Sequence, residues 1–326
     1  MNQRIALGLD VSKLTFDACL LSEKVKEHKK FSNDFSGFKQ LLSWLHGLDT
    51  AALHACLEPT GVYSRSLAKF LTDNGIAVSM VNSYAVQCHG RSKNFRSKTD
   101  RIDAYLLADY CLKENPPRWE APSQTQAELK ELQHRLACID EHIRQEENRL
   151  ETVESKVVRE DIKESLGRLY LRQKQLQKAA KELIRQDPNA TANFAILNSI
   201  IGIGEKSAIR LLGLVQFEKF QTGRTAGAFA GLSPRQFESG TSIHRKTQIS
   251  RIGDSSLRAA LYFPAMVAIQ HNPQMRKFAA NLRARNKPAK VIICAVMRKL
   301  LVLATTLIRN QSFYDPNYAL EPASPT

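Results

Sequence analysis

Short apolar runs alternate with segments of helical spacing from Arg4 to about Leu112. Ile5 to Leu9 is an apolar run that closes on Asp10. Thr15 to Leu21 reads as a second strand and Lys24 to Phe31 as a third, more polar one. Phe38 to Leu48 has helical spacing, and Ala52 to Leu57 reads as a buried strand ending at Glu58. Tyr63 to Asp73 predicts a helix closed by Asn74-Gly75, and Ile76 to Val81 a strand. Thr99 to Lys113 predicts a helix stopped at Asn115-Pro116-Pro117.

Three strands in succession, then alternating helices and strands, predict an α/β domain over residues 1–120 with an RNase H-like mixed sheet. The pattern then changes. Leu129, Leu132, Leu136, Ile139, Ile143, Leu150, Val153 and Val157 follow three-four spacing. The phase slips after Val158 and resumes at Ile162, Leu166, Leu169, Leu176, Ala180 and Leu183. Residues 121–187 therefore read as a coiled-coil connector, a long helix or helical pair with a stutter. As one helix it would reach on the order of 90 Å. A seam left exposed in a monomer is costly, so the connector is expected to join subunits as a dimer or tetramer. Residues 188–326 read as a mostly helical third region.

Charge changes the picture. Net charge is +15 over 326 residues, and residues 188–326 hold 18 Lys+Arg against 6 Asp+Glu. Such asymmetry points to a polyanion, nucleic acid before membrane surface. The apolar stretch from Val291 to Ile308 is broken by Arg298 and Lys299, so no membrane span is expected. The six cysteines form no CxxC pair, which argues against a zinc site or disulfide framework and for a reducing compartment. The N-terminus has no signal-peptide pattern, and a cytoplasmic protein is expected.

Four carboxylates stand at positions suited to metal. Asp10 and Glu58 end predicted strands, and Asp100 and Asp103 are three apart near a helix start, on one face. Clustered carboxylates hold the divalent cations, Mg2+ or Mn2+, that phosphoryl transfer on a diester uses. Just upstream, Arg91, Lys93, Arg96 and Lys98 surround Phe95 in a segment suited to a nucleic-acid backbone.

Further on, Leu197 to Gly204 followed by Lys206 reads as a helix-hairpin-helix. Gly202 and Gly204 would bring backbone N–H groups close to phosphate there. The segment from Phe229 to Ser242, with Ser239 before Gly240, reads as a small-residue loop flanked by Arg245, Lys246 and Arg251. Residue chemistry alone leaves Ser239 an ordinary turn residue. It also leaves three functions open. They are a strand-exchanging recombinase, a metal-dependent hydrolytic endonuclease of the Holliday-junction resolvase kind, and a non-enzymatic nucleic-acid-binding scaffold. Four acids in so basic a protein fit the scaffold poorly, because acids near DNA repel phosphate unless metal intervenes.

GLDVSK around Asp10, LEPTGVYS around Glu58, KTDRIDA around Asp100 and Asp103, and AGLSPRQFESG with ISRIGDSSLRAALY resemble the DEDD-type transposases of insertion sequences, the group that includes the Piv and MooV invertases. The resemblance runs over nearly the whole chain. It implies a RuvC-like N-terminal domain whose Asp10, Glu58, Asp100 and Asp103 bind metal. It also implies a C-terminal domain whose serine before glycine, Ser239, is the nucleophile, with Ser242 as runner-up. The two would form a composite centre across subunits that cuts double-stranded DNA through a phosphoserine link. The resemblance further implies a structured non-coding bridge RNA that pairs with donor and target DNA.

Overall fold

In the computed structural model, residues 4–59, 61–95, 99–239 and 243–317 are described, with backbone alone at Val62, 236–239 and 243–247. The chain divides into two compact units, Met1–Ala121 and Pro122–Thr326.

The first unit is built on strands β1 (Ile5–Val11), β2 (Thr15–Leu21), β3 (Lys26–Ser32), β4 (Leu53–Leu57) and β5 (Ala77–Met80). They form one sheet in the order β3-β2-β1-β4-β5. β1 runs antiparallel to β2 and parallel to β4. This is a mixed α/β sheet of the RNase H-like kind. Helices α1 (Phe35–Trp44), α2 (Val62–Asp73), α3 (Ser83–Ser92) and α4 (Asp100–Glu114) complete the unit. Alternation along β1 divides the core in two. Leu7, Leu9 and Val11 join Phe16, Phe38, Leu41 and Leu67 in one cluster. Ala6 joins Cys19, Cys56, Ala104, Leu107 and Ala108 of α4 in another. With both faces covered, the central strands read as unbroken apolar runs rather than alternating ones.

The basic segment before α4 does not begin as a loop. Arg91 and Ser92 form the end of α3, a helix with no strong apolar period to announce it. Asn82 starts it by accepting from the Tyr84 N–H.

The second unit opens with α5 (Gln124–Thr152) and α6 (Lys156–Gln186), broken at residues 153–155. Among the described residues no single helix spans the connector, and the segment forms a helical pair. In that pair α5 and α6 pack on each other, with Ile139 and Ile143 meeting Ile162 and Leu166. The apolar seam is thus buried within one chain, which removes the exposed seam that argued for a second subunit. At the other end Leu129, Ala180 and Ile184 enter the core of the following helices.

Those are α7 (Pro188–Ser199), α8 (Glu205–Leu214), α9 (Gly223–Phe229), α10 (Ser255–His271), α11 (Pro273–Ala284) and α12 (Ala289–Arg309). By length and composition alone α12 could cross a membrane. Here Ile292, Val296, Leu300, Leu301, Ala304 and Ile308 form the core of the unit. Between α9 and α10 lies a hairpin of β6 (Pro234–Ser239) and β7 (Ile243–Ile249), where a loop was expected. Its strands are short and polar, and their hydrogen bonds come from each other rather than from any local pattern.

Candidate active site

The position of α4 depends on Gly8. A Cβ there would stand 2.0 Å from the Ala104 carbonyl oxygen and 2.3 Å from the Ala108 nitrogen. Only glycine allows the helix backbone to lie this close to β1. Asp10, two residues on and on the same strand face, then meets the first turn of α4. Thr99 caps that turn by accepting from the Ile102 N–H, and the helix dipole favours Asp100 and Asp103 there.

The four carboxylates are brought together. Asp10 is pushed up to about 6, by burial first and then by the charges of Asp103, Asp100, Glu58 and Asp17. Glu58 follows the end of β4, and the Ser83 hydroxyl donates to its Oε2 at 2.5 Å. Asp17 is buried on β2 directly across from Asp10. Its Oδ1 lies 2.9 Å from His28 Nε2 and its Oδ2 lies 3.2 Å from Lys30 Nζ. Lys30 Nζ is also 3.8 Å from Asp100 Oδ2. A group of hard oxygen donors whose mutual repulsion disfavours full ionisation fits a divalent cation, which would relieve that repulsion. Asp10, Glu58, Asp100 and Asp103 are the residues that would hold it.

The basic segment beside the carboxylates divides. Arg91 is exposed at the end of α3. Lys93 is not free for phosphate, because its ammonium is paired with the buried Asp109. Asp109 also takes His89 Nε2 at 2.6 Å and faces Lys113 at 3.6 Å. Lys93 therefore ties the end of α3 to α4. Arg96 and Lys98 lie outside the described residues.

In the second unit the two halves of the glycine-containing motif fold onto each other. The Arg251 N–H donates to the Gly231 carbonyl at 3.1 Å and the Asp254 N–H to that of Phe229 at 3.0 Å. Gly253 has φ +147°, and a Cβ on it would stand 2.3 Å from the Phe229 oxygen. Arg258 Nη1 donates to the carbonyls of Ala230 and Gly253. This knot is the base of the hairpin, and Ser239 ends β6 opposite Ile243. Ser242 lies outside the described residues, and Arg245 and Lys246 are described only as backbone of β7. Exposed Arg251 borders a groove of about 690 Å³ with Lys290, Arg298 and Lys299.

Gly202 and Gly204 sit in the turn between α7 and α8 and differ in role. Gly202 has φ +110° and packs on α10, where a Cβ would meet Ala268 at 2.7 Å. It serves close helix packing, not an open phosphate site. Gly204 starts α8 with open space around it, beside exposed Lys206. Glu205 in that same first turn is paired with Lys181.

Two transposase family models match the chain, a DEDD-type transposase over residues 7–154 and the transposase IS116/IS110/IS902 family over residues 194–280. The pilin gene-inverting proteins of Moraxella lacunata and Moraxella bovis are each 33% identical over 318 residues, covering 95% of this chain and 97% of the relative. The chain belongs to the IS116/IS110/IS902 family of transposases. An insertion element IS110 protein of 43.6 kDa from Streptomyces coelicolor is 29% identical over 121 residues, 37% of this chain and 30% of its own. The transposase is thus a DNA recombinase, and its DEDD class is one that uses a divalent metal.

Three residues beside the candidate carboxylate site escaped the sequence reading: Asp17, Lys30 and Ser83. A carboxylate in the apolar run TFDACLL was a usable signal, because a buried acid needs a partner. Lys30 and Ser83 carried none, since each reaches the site through strand order and a helix start set elsewhere in the chain.

Proposed function

We propose that this transposase cleaves and exchanges DNA strands with Ser239 as nucleophile and the four carboxylates as a metal-holding partner centre. The observation that carries the metal half is Asp10, whose carboxyl is pushed up to about 6 by burial and four neighbouring acids. When bound, a divalent cation such as Mg2+ supplies charge stabilisation of the reacting phosphate. Asp10, Glu58, Asp100 and Asp103 orient it, and Ser83 steadies Glu58.

In the strand-cleavage step the Ser239 oxygen bonds to phosphorus and one phosphorus–oxygen bond of the DNA breaks. The serine loses its proton and the departing DNA oxygen gains one. One ester replaces another, so a DNA hydroxyl can later reverse the step and join strands without an external energy source. Ser239 at the end of β6, on a hairpin held by the Gly231–Gly253 knot, suits this role. Ser242 is the second choice by position. The relatives' name, pilin gene-inverting protein, fits an inversion-type exchange. A structured RNA pairing with donor and target DNA is proposed as the guide. The α7–α8 turn, through Gly204 and Lys206, and the cations Arg91, Arg245, Lys246 and Arg251 are proposed to hold nucleic-acid backbone. A homo-oligomer, joined through surfaces other than the internally buried α5–α6 seam, would complete a composite centre in the cytoplasm.

The test is a covalent protein–DNA adduct on a substrate carrying the element's ends. The adduct should form in wild type and vanish in Ser239→Ala, while Asp10→Ala and Asp103→Ala lose activity. An adduct that persists in Ser239→Ala overturns the nucleophile. Free ends in place of joined strands would mean hydrolysis by water at the carboxylates. Recovery of no RNA with active protein would remove the guide.

A further inference from the structure

Between β4 and α4, three soft donors meet. His54 and Cys56 are two apart on one face of the strand, and Cys111 comes from the middle of α4. One donor atom from each lies within 4.8 Å of the others. We propose that His54, Cys56 and Cys111 bind a thiophilic divalent cation, zinc as the first case, at a structural site distinct from the carboxylate centre.

The donors suit that ion. Zinc takes sulfur at about 2.3 Å and imidazole nitrogen at about 2.0 Å, which sets donor atoms roughly 3.5–4 Å apart. Both cysteines are buried and His54 is half-buried. Two thiolates and a neutral imidazole around a doubly charged ion sum to zero, so the site needs no buried counterion. Binding releases two thiol protons to solvent. At present the Cys111 thiol donates to the His54 carbonyl at 3.3 Å, and Cys56 and Cys111 are hydrogen-bonded to each other.

The surroundings hold the set in place. Ser79, fully buried on β5 beside Cys56, puts its hydroxyl oxygen 2.8 Å from His54 Nε2. The same hydroxyl donates to the Pro117 carbonyl at 2.8 Å, so the ring is oriented by a residue anchored in turn. A fourth ligand has a route in. His54 borders a cavity of about 450 Å³ with Arg4, Ala77, Pro116, Pro117 and Arg118, through which a water could enter as fourth ligand. The consequence is mechanical. A bound ion would tie α4, which carries Asp100 and Asp103, to β4, which Glu58 follows.

The experiment uses full-length protein stripped by chelator and loaded with Co2+ or Zn2+. Expected with Co2+ is an intense near-ultraviolet thiolate-to-metal charge-transfer band reaching one equivalent per chain. With Zn2+, alkylation of Cys56 and Cys111 in wild type should slow at least tenfold. Cys56→Ser and Cys111→Ser should each abolish the band, while Asp10→Asn and Cys138→Ser keep it. The wild-type alkylation arm decides the matter even where a cysteine variant misfolds. No charge-transfer band, unprotected thiols, or a metal-free Cys56–Cys111 disulfide would each overturn the site. Retention in Asp10→Asn separates this result from the fate of the carboxylate proposal.

Discussion

Asp10 and Asp17 face each other across the β1–β2 pair. Two acids in direct register repel, and among the described residues Asp17 is the one of the two that lies beside a lysine, Lys30, and an imidazole, His28. Asp10 instead faces further acids, which together with burial raise its carboxyl. Asp17→Asn should free Lys30 to compete for Asp100, which it already approaches. The metal concentration for half-maximal DNA cleavage should rise about three- to tenfold, on the order of 1 kcal/mol, with little change at saturating metal. A metal titration of cleavage checks this. A loss that saturating metal does not restore would count against it.

Metal binding should depend on pH through Asp10. Its carboxyl is raised to about 6 from 3.8 in the unfolded chain. Metal needs the ionised form, so metal affinity and cleavage should rise as pH climbs through about 6. Stability of the metal-free protein has the opposite sign. The folded form takes up the proton more readily, so stability falls as pH rises from about 4 through 6. Asp10→Asn should therefore stabilise the metal-free protein at pH 7.5 by about 1 kcal/mol, a figure reduced for the partial exposure of the site. Thermal melts in chelator from about pH 4 to 7.5, which span the window between the unfolded and folded values, would read this out.

Gly8→Ala should separate α4 from the sheet. The added methyl meets helix backbone rather than a flexible side chain, so the helix has to move. A cost of about 1–3 kcal/mol is expected. Cleavage should drop by at least a hundredfold, because Asp100 and Asp103 shift with the helix. Cleavage within threefold of wild type would mean that α4 does not set the carboxylate geometry.

Lys93 and Arg91 should behave differently although they lie two residues apart. Lys93→Ala breaks a pair with buried Asp109, which keeps His89 and Lys113. It should cost about 1–2 kcal/mol of stability and leave the salt dependence of DNA binding unchanged. Arg91→Ala should leave the melting temperature unchanged and lower the salt slope by about one. Salt-dependent binding isotherms distinguish the two.

Gly253→Ala should act on strand cleavage from a distance. A side chain there strikes the Phe229 carbonyl, which opens the base of the hairpin carrying Ser239. Adduct formation should fall more than tenfold while overall helicity is kept. A normal adduct yield in that variant would separate the knot from the nucleophile.

Much of this transposase was legible in its residues. The apolar runs marked the strands because the sheet is covered on both faces. The acids at strand ends and helix start marked the carboxylate group, because such positions are local and rigid. The basic surplus marked nucleic acid. The helical seam was legible too, but its partner was not. Period alone does not say whether a helix meets another chain or folds back on itself, and here a break at residues 153–155 makes it fold back. Tertiary structure also decided what depends on contacts remote in sequence. It paired Lys93 with Asp109, gave Asp17 its neighbours His28 and Lys30 and set Gly202 against Ala268. It brought Cys111 to His54 and Cys56, although no spacing of cysteines announced them. Local pattern records what each segment must bury, whereas which segment buries it is settled only when the whole chain closes.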